Sequence, residues 1–221
     1  MPVASTSRVV APVHRSGKLI PVPVLKSASP TPACKVLFSP KGGISKELVR
    51  LTQAAAREIS VAAYAFSSKY LGNALVTAMK RGVKVRLILD KDNAEKSYSL
   101  DEWLIENGID VRFLKVKSGC MHHKFLIVDH ARLMTGSYNF TNDSEFRNHE
   151  AALFISAIAA TGATTSTTSI AATNAIVKAF TAEFDRLWSI ASASILKAAN
   201  FRRCRSQSAH RRIPRLFGGK G

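Results

Sequence analysis

The sequence predicts an α/β fold in which a mixed β-sheet is flanked by helices on both faces. Two observations predict this class. Short apolar runs typical of buried strands alternate with segments of helical periodicity, and two further apolar runs, separated by only a few residues, are typical of an antiparallel hairpin. The 221 residues are enough for one domain with a sizeable core. The longest apolar runs are shorter than a membrane span.

The first strands and the first helix follow from this alternation. Residues 35–38 form a short apolar strand that ends at a turn rich in Pro and Gly. Apolar residues three or four positions apart then predict an amphipathic helix over residues 44–57. The apolar stretch 58–66 predicts a buried strand, in which the side chains of Tyr64 and Phe66 pack in the core.

The alternation continues along the next fifty residues. Apolar residues spaced by four predict a helix over residues 69–81, which Gly82 ends. A strand over residues 83–89 follows, and then a short helix that ends near Glu106. Residues 109–116 predict another strand, so this half of the chain is typical of a layered α/β domain.

The second half of the ordered region begins with the hairpin. Its strands are predicted over residues 123–128 and 133–140, and a third strand, 150–155, follows a polar loop. The Ala/Thr/Ser-rich stretch 156–173 has no charge and no clear period, which indicates a loop or an insertion. Helical spacing resumes near residue 174 and predicts a last helix to about residue 194.

The positive charge lies mainly at the two ends of the chain. The sequence has 32 Lys and Arg against 15 Asp and Glu, a formal net charge of +17. Residues 1–32 carry four basic and no acidic side chains, and residues 197–221 carry eight and none, which leaves +5 for residues 33–196. Clustered cations favour a polyanionic partner such as nucleic acid. Solubility or attraction to an acidic membrane surface would give the same surplus.

These patterns divide the chain into three segments. Residues 1–32 are rich in Pro and Ser and are interpreted as a disordered basic arm or a targeting peptide. Residues 33–195 form the folded domain, which includes the 156–173 insertion. Residues 196–221 are an Arg-rich tail, expected to be disordered and suited to binding phosphate. The three cysteines cannot all pair, and their spacing fits no standard zinc pattern.

Polar residues on the predicted hairpin point to a phosphate site. His122 and Lys124 share one face of the first strand, and Ser137 and Asn139 share a face of the second. Gly136 lets a ligand or another chain approach the backbone. Burying these polar groups without partners would cost about 1–3 kcal/mol each. A bound phosphate would satisfy them together, because Lys supplies a cation and Ser and Asn supply neutral donors.

The histidine on this face suits nucleophilic attack on phosphorus. A neutral imidazole such as that of His122 is nucleophilic near pH 7 without a metal. It needs a group to hold its other ring nitrogen, and Glu150 is the candidate. A second acid must protonate the leaving oxygen. Because the chain has one copy of the pattern, two copies related by a two-fold axis would supply both roles, which predicts a homodimer.

The stretch from residue 122 to residue 150 resembles the signature of the phospholipase D superfamily. The spacing is most similar to the small bacterial endonucleases of that superfamily, which carry one motif per chain and work as dimers. The order of strands and helices before the motif, and the AEFDRLW segment after it, extend the resemblance over about 33–155 and 174–192. The signature residues are His122-x-Lys124-x4-Asp129 and Gly136-Ser137-x-Asn139.

The resemblance implies a role for each matched residue. His122 would form a covalent phosphohistidine, and the His122 of a second copy would be the general acid. Lys124 and Asn139 would hold the phosphoryl oxygens, while Ser137 would add a hydrogen bond. Glu150 would orient the nucleophile.

The resemblance also sets the expected function and its alternatives. Asp129 would be more structural than catalytic, and no divalent metal or other cofactor is implied. The expected activity is hydrolysis of DNA or RNA with little base specificity. The first alternative is a phospholipase D acting on headgroup esters of an anionic phospholipid, and the second is a nucleic-acid-binding module without turnover. A bacterial cytoplasm or periplasm is the expected location, and the sequence leaves the compartment open.

The other histidines near the motif have structural interpretations. His123 is predicted to face away from His122, and His130 lies in the predicted hairpin turn. His149 is expected to point away from Glu150. We therefore expect these three side chains to be solvated or locally satisfied rather than catalytic.

Overall fold

A computed structural model describes residues 34–157 and 167–193 of the chain. The described residues form an eight-stranded mixed sheet with helices on both faces, which confirms the predicted α/β class. The predicted N-terminal segment, the Arg-rich tail and residues 158–166 of the predicted insertion lie outside these residues. None of the helices in the described ranges has the length and apolar character needed to cross a membrane.

The bounds of the elements follow the predicted alternation closely. The strands are β1 (Cys34–Phe38), β2 (Glu58–Ala63), β3 (Lys84–Asp90), β4 (Asp110–Leu114), β5 (Lys124–Val128), β6 (Arg132–Gly136), β7 (Ala151–Ser156) and β8 (Ser192–Ala193). The helices are α1 (Ile44–Gln53), α2 (Lys69–Lys80), α3 (Lys91–Ala94), α4 (Asp101–Glu106), α5 (Asn142–Phe146) and α6 (Thr167–Ile190). Of these, α3, α5 and β8 were not predicted.

The strand order places β5 in the middle of the sheet. The order is β1-β7-β6-β5-β2-β3-β4-β8, in which β2, β3 and β4 run parallel and the other neighbours pair antiparallel. Strand β5 pairs with β2, so that Lys124 lies opposite Ala63. The beginning of β5 therefore lies at the edge of the sheet where β2 and β3 end. The carboxyl ends of parallel strands are the usual place for a ligand in α/β sheets.

Each face of the sheet has its own core. Alternate residues of β5 point to opposite faces, with Leu126 and Val128 packed toward α1 and α2. Phe125 and Ile127 pack toward α6, where Phe184 is almost fully buried. Each such large apolar side chain contributes about 1.5–3 kcal/mol when removed from water. The central strand is therefore fixed from both sides.

Helix α1 ends four residues earlier than predicted. The N–H groups of Ala56 and Arg57 donate to the carboxylate of Asp129, at 3.0 and 2.7 Å, instead of continuing the helix. The prediction of a helix to residue 57 is therefore wrong, because a side chain from the hairpin turn competes for these donors. Strand β2 also ends early, at Ala63.

The second strand of the hairpin is shorter than predicted as well. Strand β6 ends at Gly136, where an added Cβ would lie only 2.1 Å from the carbonyl oxygen of Ala151. Ser137 and Asn139 thus lie beyond the strand, and the prediction that β6 extends to residue 140 is wrong. The following loop contains α5, whose N-terminus Thr141 caps by accepting from the Ser144 N–H.

The last helix begins earlier than predicted. Residues 167–173 belong to α6, so the prediction of a loop over the whole of 156–173 is wrong for this part. Alanine has a high helix propensity, and packing against the sheet compensates for the lower helix propensity of Thr. Thr173 and Val177 are both buried on the face of α6 that meets the sheet. A low-complexity composition therefore did not exclude a packed helix.

Candidate active site

The loop before β5 is fixed by one buried residue. The Met121 side chain is buried, and its backbone N–H donates to Asp90 Oδ2 at the end of β3, at 2.9 Å. His122 and His123 follow immediately and are both exposed. The next residue, Lys124, begins β5 and is only 6% exposed. The sheet thus presents an accessible imidazole beside a buried ammonium.

His122 and Lys124 converge on one aromatic ring. The ring centroids of Tyr64 and His122 are 4.6 Å apart, and Lys124 Nζ lies 5.1 Å from the Tyr64 centroid. The two motif side chains therefore share a face, as predicted. Lys124 Nζ also donates to the His122 carbonyl oxygen at 3.0 Å.

The Lys124 ammonium is partly shielded from solvent, which affects its pKa. Burial lowers the pKa of the Lys124 ammonium, and the nearby Cys120 and Glu150 side chains act in the opposite direction. Within the described ranges, the His122 carbonyl is the one hydrogen-bond acceptor of this ammonium. An ammonium has three donors, so two remain for a ligand.

The Glu150 carboxylate accepts hydrogen bonds from two neighbouring polar side chains. Its carboxylate accepts from Ser137 Oγ at 2.5 Å and from Asn148 Nδ2 at 3.1 Å. Its backbone is tied to Ser39, whose N–H donates to the Glu150 carbonyl at 3.0 Å. The structure thus brings Ser137 and Glu150 together, and the predicted role of Glu150 toward His122 stays a prediction.

Asn139 carries an unpaired polar atom. Its side-chain Oδ1 is buried and has no hydrogen-bond partner among the described residues. Its backbone carbonyl accepts from the N–H of Thr141 at 2.8 Å. A buried amide oxygen without a partner costs about 1–3 kcal/mol. An amide oxygen accepts, so this atom suits a donor group of a ligand or of a second copy of the chain, whereas the role predicted for Asn139 toward phosphoryl oxygens belongs to its Nδ2.

Asp129, at the other end of β5, is fully engaged. Its carboxylate accepts from the N–H groups of Ala56, Arg57 and Glu58 at 2.7–3.0 Å. Although burial acts to raise it, these backbone hydrogen bonds hold the pKa of Asp129 below its ordinary value. Asp129 and His130 both have positive φ, and the Ala131 N–H donates to the Val128 carbonyl to close the hairpin turn. These contacts are structural.

The other histidines lie outside this cluster. His123 Nε2 is 3.3 Å from Glu183 of α6, and its ring contacts Phe125 on the α6 face. His130 lies in the hairpin turn, 3.8 Å from Glu58, and His149 is exposed. The prediction that His123 faces away from His122 is confirmed by these contacts.

A cleft of about 640 Å³ opens beside His122 on the α6 side. Apolar side chains from the region after β4 and from the end of α6 line much of it, together with the basic side chains of Lys115, Lys117 and Arg186. The residues that line it include Val116, Met121, His122, His123, Leu187 and Ile190. His122 therefore borders both the Tyr64 ring and this cleft.

Sequence reasoning missed Tyr64. The apolar stretch around it predicted core packing, and that prediction is confirmed for Phe66 but is wrong for Tyr64, which is half-buried against His122. The pairing of β2 with β5 brings Tyr64 to the site, since its N–H donates to the His123 carbonyl at 2.9 Å. Only the register of these two strands, about 60 residues apart in sequence, could have revealed it.

Comparisons with known proteins agree with this architecture. A family model described as cardiolipin synthase, PLD-like domain, matches residues 48–188. A phospholipase D of Rickettsia prowazekii is 36% identical over 122 residues, covering 53% of this chain and 57% of the relative. A mitochondrial cardiolipin hydrolase of Xenopus tropicalis is 32% identical over 166 residues, covering 75% of this chain and 68% of the relative. The match therefore spans less than two thirds of the rickettsial protein's length.

A solved structure shows the same fold. The crystal structure of Nuc, a phospholipase D family member from Salmonella typhimurium, matches with a TM-score of 0.62 at 25% identity. The match covers 74% of this chain and 97% of that chain. Fold and site thus define an α/β domain with an exposed histidine and a buried lysine where β5 begins and β2 ends. The chain belongs to the phospholipase D superfamily, a superfamily of phosphodiesterases.

Proposed function

We propose that the chain hydrolyses phosphodiester bonds of nucleic acids through a phosphohistidine on His122. The observation that carries this proposal is the pairing of an exposed imidazole with a buried ammonium that has donors to spare. A nucleophile and a cation on one face suit attack on a phosphate that is held by the same group. Residues of the superfamily's motif provide both.

The reaction has two balanced steps. The His122 imidazole attacks phosphorus, an N–P bond forms, and the bond to the leaving oxygen breaks while an acid protonates that oxygen. Water then attacks the phosphohistidine while the group that gave up its proton in the first step takes a proton from this water, and the N–P bond breaks to release the phosphate monoester and the imidazole. Lys124 and Asn139 hold the phosphoryl oxygens and stabilise their developing charge. No step calls on a divalent metal.

The acid of the first step comes from a second copy of the chain. The sequence holds one copy of the motif, and a two-fold axis would place two imidazoles on either side of one phosphate. Mixing the wild type with excess His122→Ala protein tests this point. If mixed dimers form and lack one imidazole, specific activity falls faster than dilution alone explains. Activity that follows dilution alone would contradict a shared site.

Charge supports nucleic acid as the substrate. The formal net charge is +17, and even residues 33–196 retain +5. Near the site, Lys117 is exposed at the rim of the cleft. A cationic surface gains affinity for a polyanion by releasing counterions. Nothing in the cluster reads base edges, so we expect little sequence specificity.

A phospholipid headgroup ester is the second candidate substrate. The apolar cleft beside His122 is the observation that favours it, since a diester with an aliphatic part could place that part there. Relatives named phospholipase D and mitochondrial cardiolipin hydrolase support the same alternative. The chemistry on His122 would be unchanged.

One assay separates the candidates. The full-length protein is incubated with plasmid DNA, single-stranded DNA and RNA oligonucleotides, and cardiolipin and phosphatidylcholine vesicles, with and without EDTA. We expect the nucleic acids to be cleaved in both conditions and the His122→Ala variant to be inactive. Consumption of lipid alone would show that the substrate is a phospholipid and not nucleic acid. Loss of all activity in EDTA would overturn the metal-independent mechanism. Binding of nucleic acid without turnover of any substrate would show that the protein is a nucleic-acid-binding module without catalytic activity.

A further inference from the structure

Tyr64 lies against both reactive groups of the proposed site. It follows β2, and its N–H donates to the His123 carbonyl at 2.9 Å, which fixes its backbone beside the loop that carries the nucleophile. Its ring centroid is 4.6 Å from that of His122, with an angle of 60° between the ring planes. The same centroid is 5.1 Å from Lys124 Nζ. Tyr64 therefore contacts the side chains on which the reaction depends.

We propose that Tyr64 is a positioning residue, whose ring holds the His122 imidazole and the Lys124 ammonium in their reactive arrangement. This inference rests on the proposed phosphodiesterase function. The ring has two ways to act. It limits the rotation of an exposed imidazole by contact, and its electron-rich face attracts the ammonium within the 6 Å range of a cation–π interaction.

The local structure explains why such a support is needed. His122 precedes β5 and lies in a loop, and its side chain is exposed. The contacts of Glu150 are with Ser137 and Asn148, so they do not restrain the imidazole within one chain. A misplacement of about 1 Å at a nucleophile lowers the rate of reaction by about 100-fold. Among the described contacts, the Tyr64 ring is the aromatic partner of His122.

Two substitutions separate the ring from its hydroxyl. Tyr64→Phe keeps the ring and should retain kcat within about threefold of the wild type. Tyr64→Leu keeps an apolar side chain but loses the ring, and we expect kcat to fall by about 10- to 100-fold with KM nearly unchanged. The matched control is Tyr70→Leu, because Tyr70 is 53% exposed on α2. It should behave like the wild type.

A second measurement does not depend on activity. The ring current of Tyr64 should shift the His122 ring protons in the NMR spectrum, and the His122→Ala spectrum assigns them. The shift should persist in Tyr64→Phe and disappear in Tyr64→Leu, while thermal unfolding of all variants stays close to that of the wild type.

The outcomes separate the two proposals. Full kcat in Tyr64→Leu, an equal loss in Tyr64→Phe, or unchanged His122 resonances in Tyr64→Leu would each overturn the positioning role while leaving the phosphodiesterase proposal standing. A wild type that cleaves no substrate would instead contradict the phosphodiesterase proposal. The NMR comparison would then still decide whether the ring holds the imidazole.

Discussion

The polar residues at the two ends of strand β5 differ in how many hydrogen-bond partners the fold gives them. At its end, the Asp129 carboxylate accepts three backbone N–H groups, and the Asp129 carbonyl accepts from the Arg57 guanidinium at 2.8 Å. At its beginning, Lys124 is equally buried but has one acceptor within the described ranges, and His122 faces solvent. Both ends belong to the same short motif. The Asp129 carboxylate has its hydrogen-bond partners within the fold, whereas the Lys124 ammonium keeps donors available for a ligand.

This difference separates structure from chemistry within one motif. A buried polar group without its partners destabilises the fold by about 1–3 kcal/mol, so such groups persist where a ligand supplies the partners. The Asp129 end anchors the hairpin to the turn between α1 and β2. The Lys124 end is expected to serve the substrate. Substitutions at the two ends should therefore separate activity from stability.

The largest expected effect is on the activity of His122→Ala. Removal of a nucleophile lowers kcat by about 10³-fold or more. The side chain is exposed, so the melting temperature should change little. Initial rates and thermal unfolding, measured on one preparation, check both statements. The matched control is His123→Ala on the opposite face, which should keep most of its activity, and an equal loss in that control would contradict the assignment.

Lys124→Met should give the next largest effect. Loss of the cation proposed to hold the phosphoryl oxygens should lower kcat/KM by about 100-fold. Stability should stay the same or increase, because an apolar side chain of similar length replaces a buried ammonium with one acceptor. Kinetics and urea unfolding test the pair of expectations. A strong loss of stability would show that Lys124 is part of the structural half of the motif.

The sequence predicted the motif better than it predicted the contacts around it. The spacing of His122, Lys124 and Asp129 was enough to place all three on β5 or beside it. The alternation of apolar residues gave the sheet and most of its strands. Local patterns predicted these features because they depend on residues close together in the chain.

Contacts between distant segments were not predictable in this way. The end of α1 depends on a carboxylate about 70 residues later in the chain, and Tyr64 reaches the site through the register of β2 against β5. The strand that was expected to carry Ser137 stops at Gly136, and there the carbonyl of Ala151 lies too close for any residue with a side chain. Tertiary contacts decided each of these cases, and no local pattern reports them.

Asp129→Asn should affect stability more than activity. The amide keeps the shape of the side chain but loses the charge that accepts three N–H groups, and one amide nitrogen would face these donors. We expect the free energy of unfolding to fall by about 2–4 kcal/mol, measured by urea denaturation. Under conditions where the variant is folded, kcat should stay within about tenfold of the wild type. A stable Asp129→Asn variant without activity would show that Asp129 serves the reaction and not the stability of the fold.

The pH dependence of stability gives the smallest effect and the finest test of the Asp129 end. Its pKa is lowered in the folded protein, so the carboxylate stabilises the fold fully above its pKa in the unfolded chain, about 3.9. That contribution is lost as the pH falls through the lower folded pKa. Each unit of lowering corresponds to about 1.4 kcal/mol. The difference in melting temperature between the wild type and Asp129→Asn should therefore narrow as the pH falls from 5 toward 2. Because Glu47 and Glu183 titrate in both proteins and lie away from Asp129, they cancel in this difference, and a gap that stays constant would show that the charge of Asp129 does not stabilise the fold.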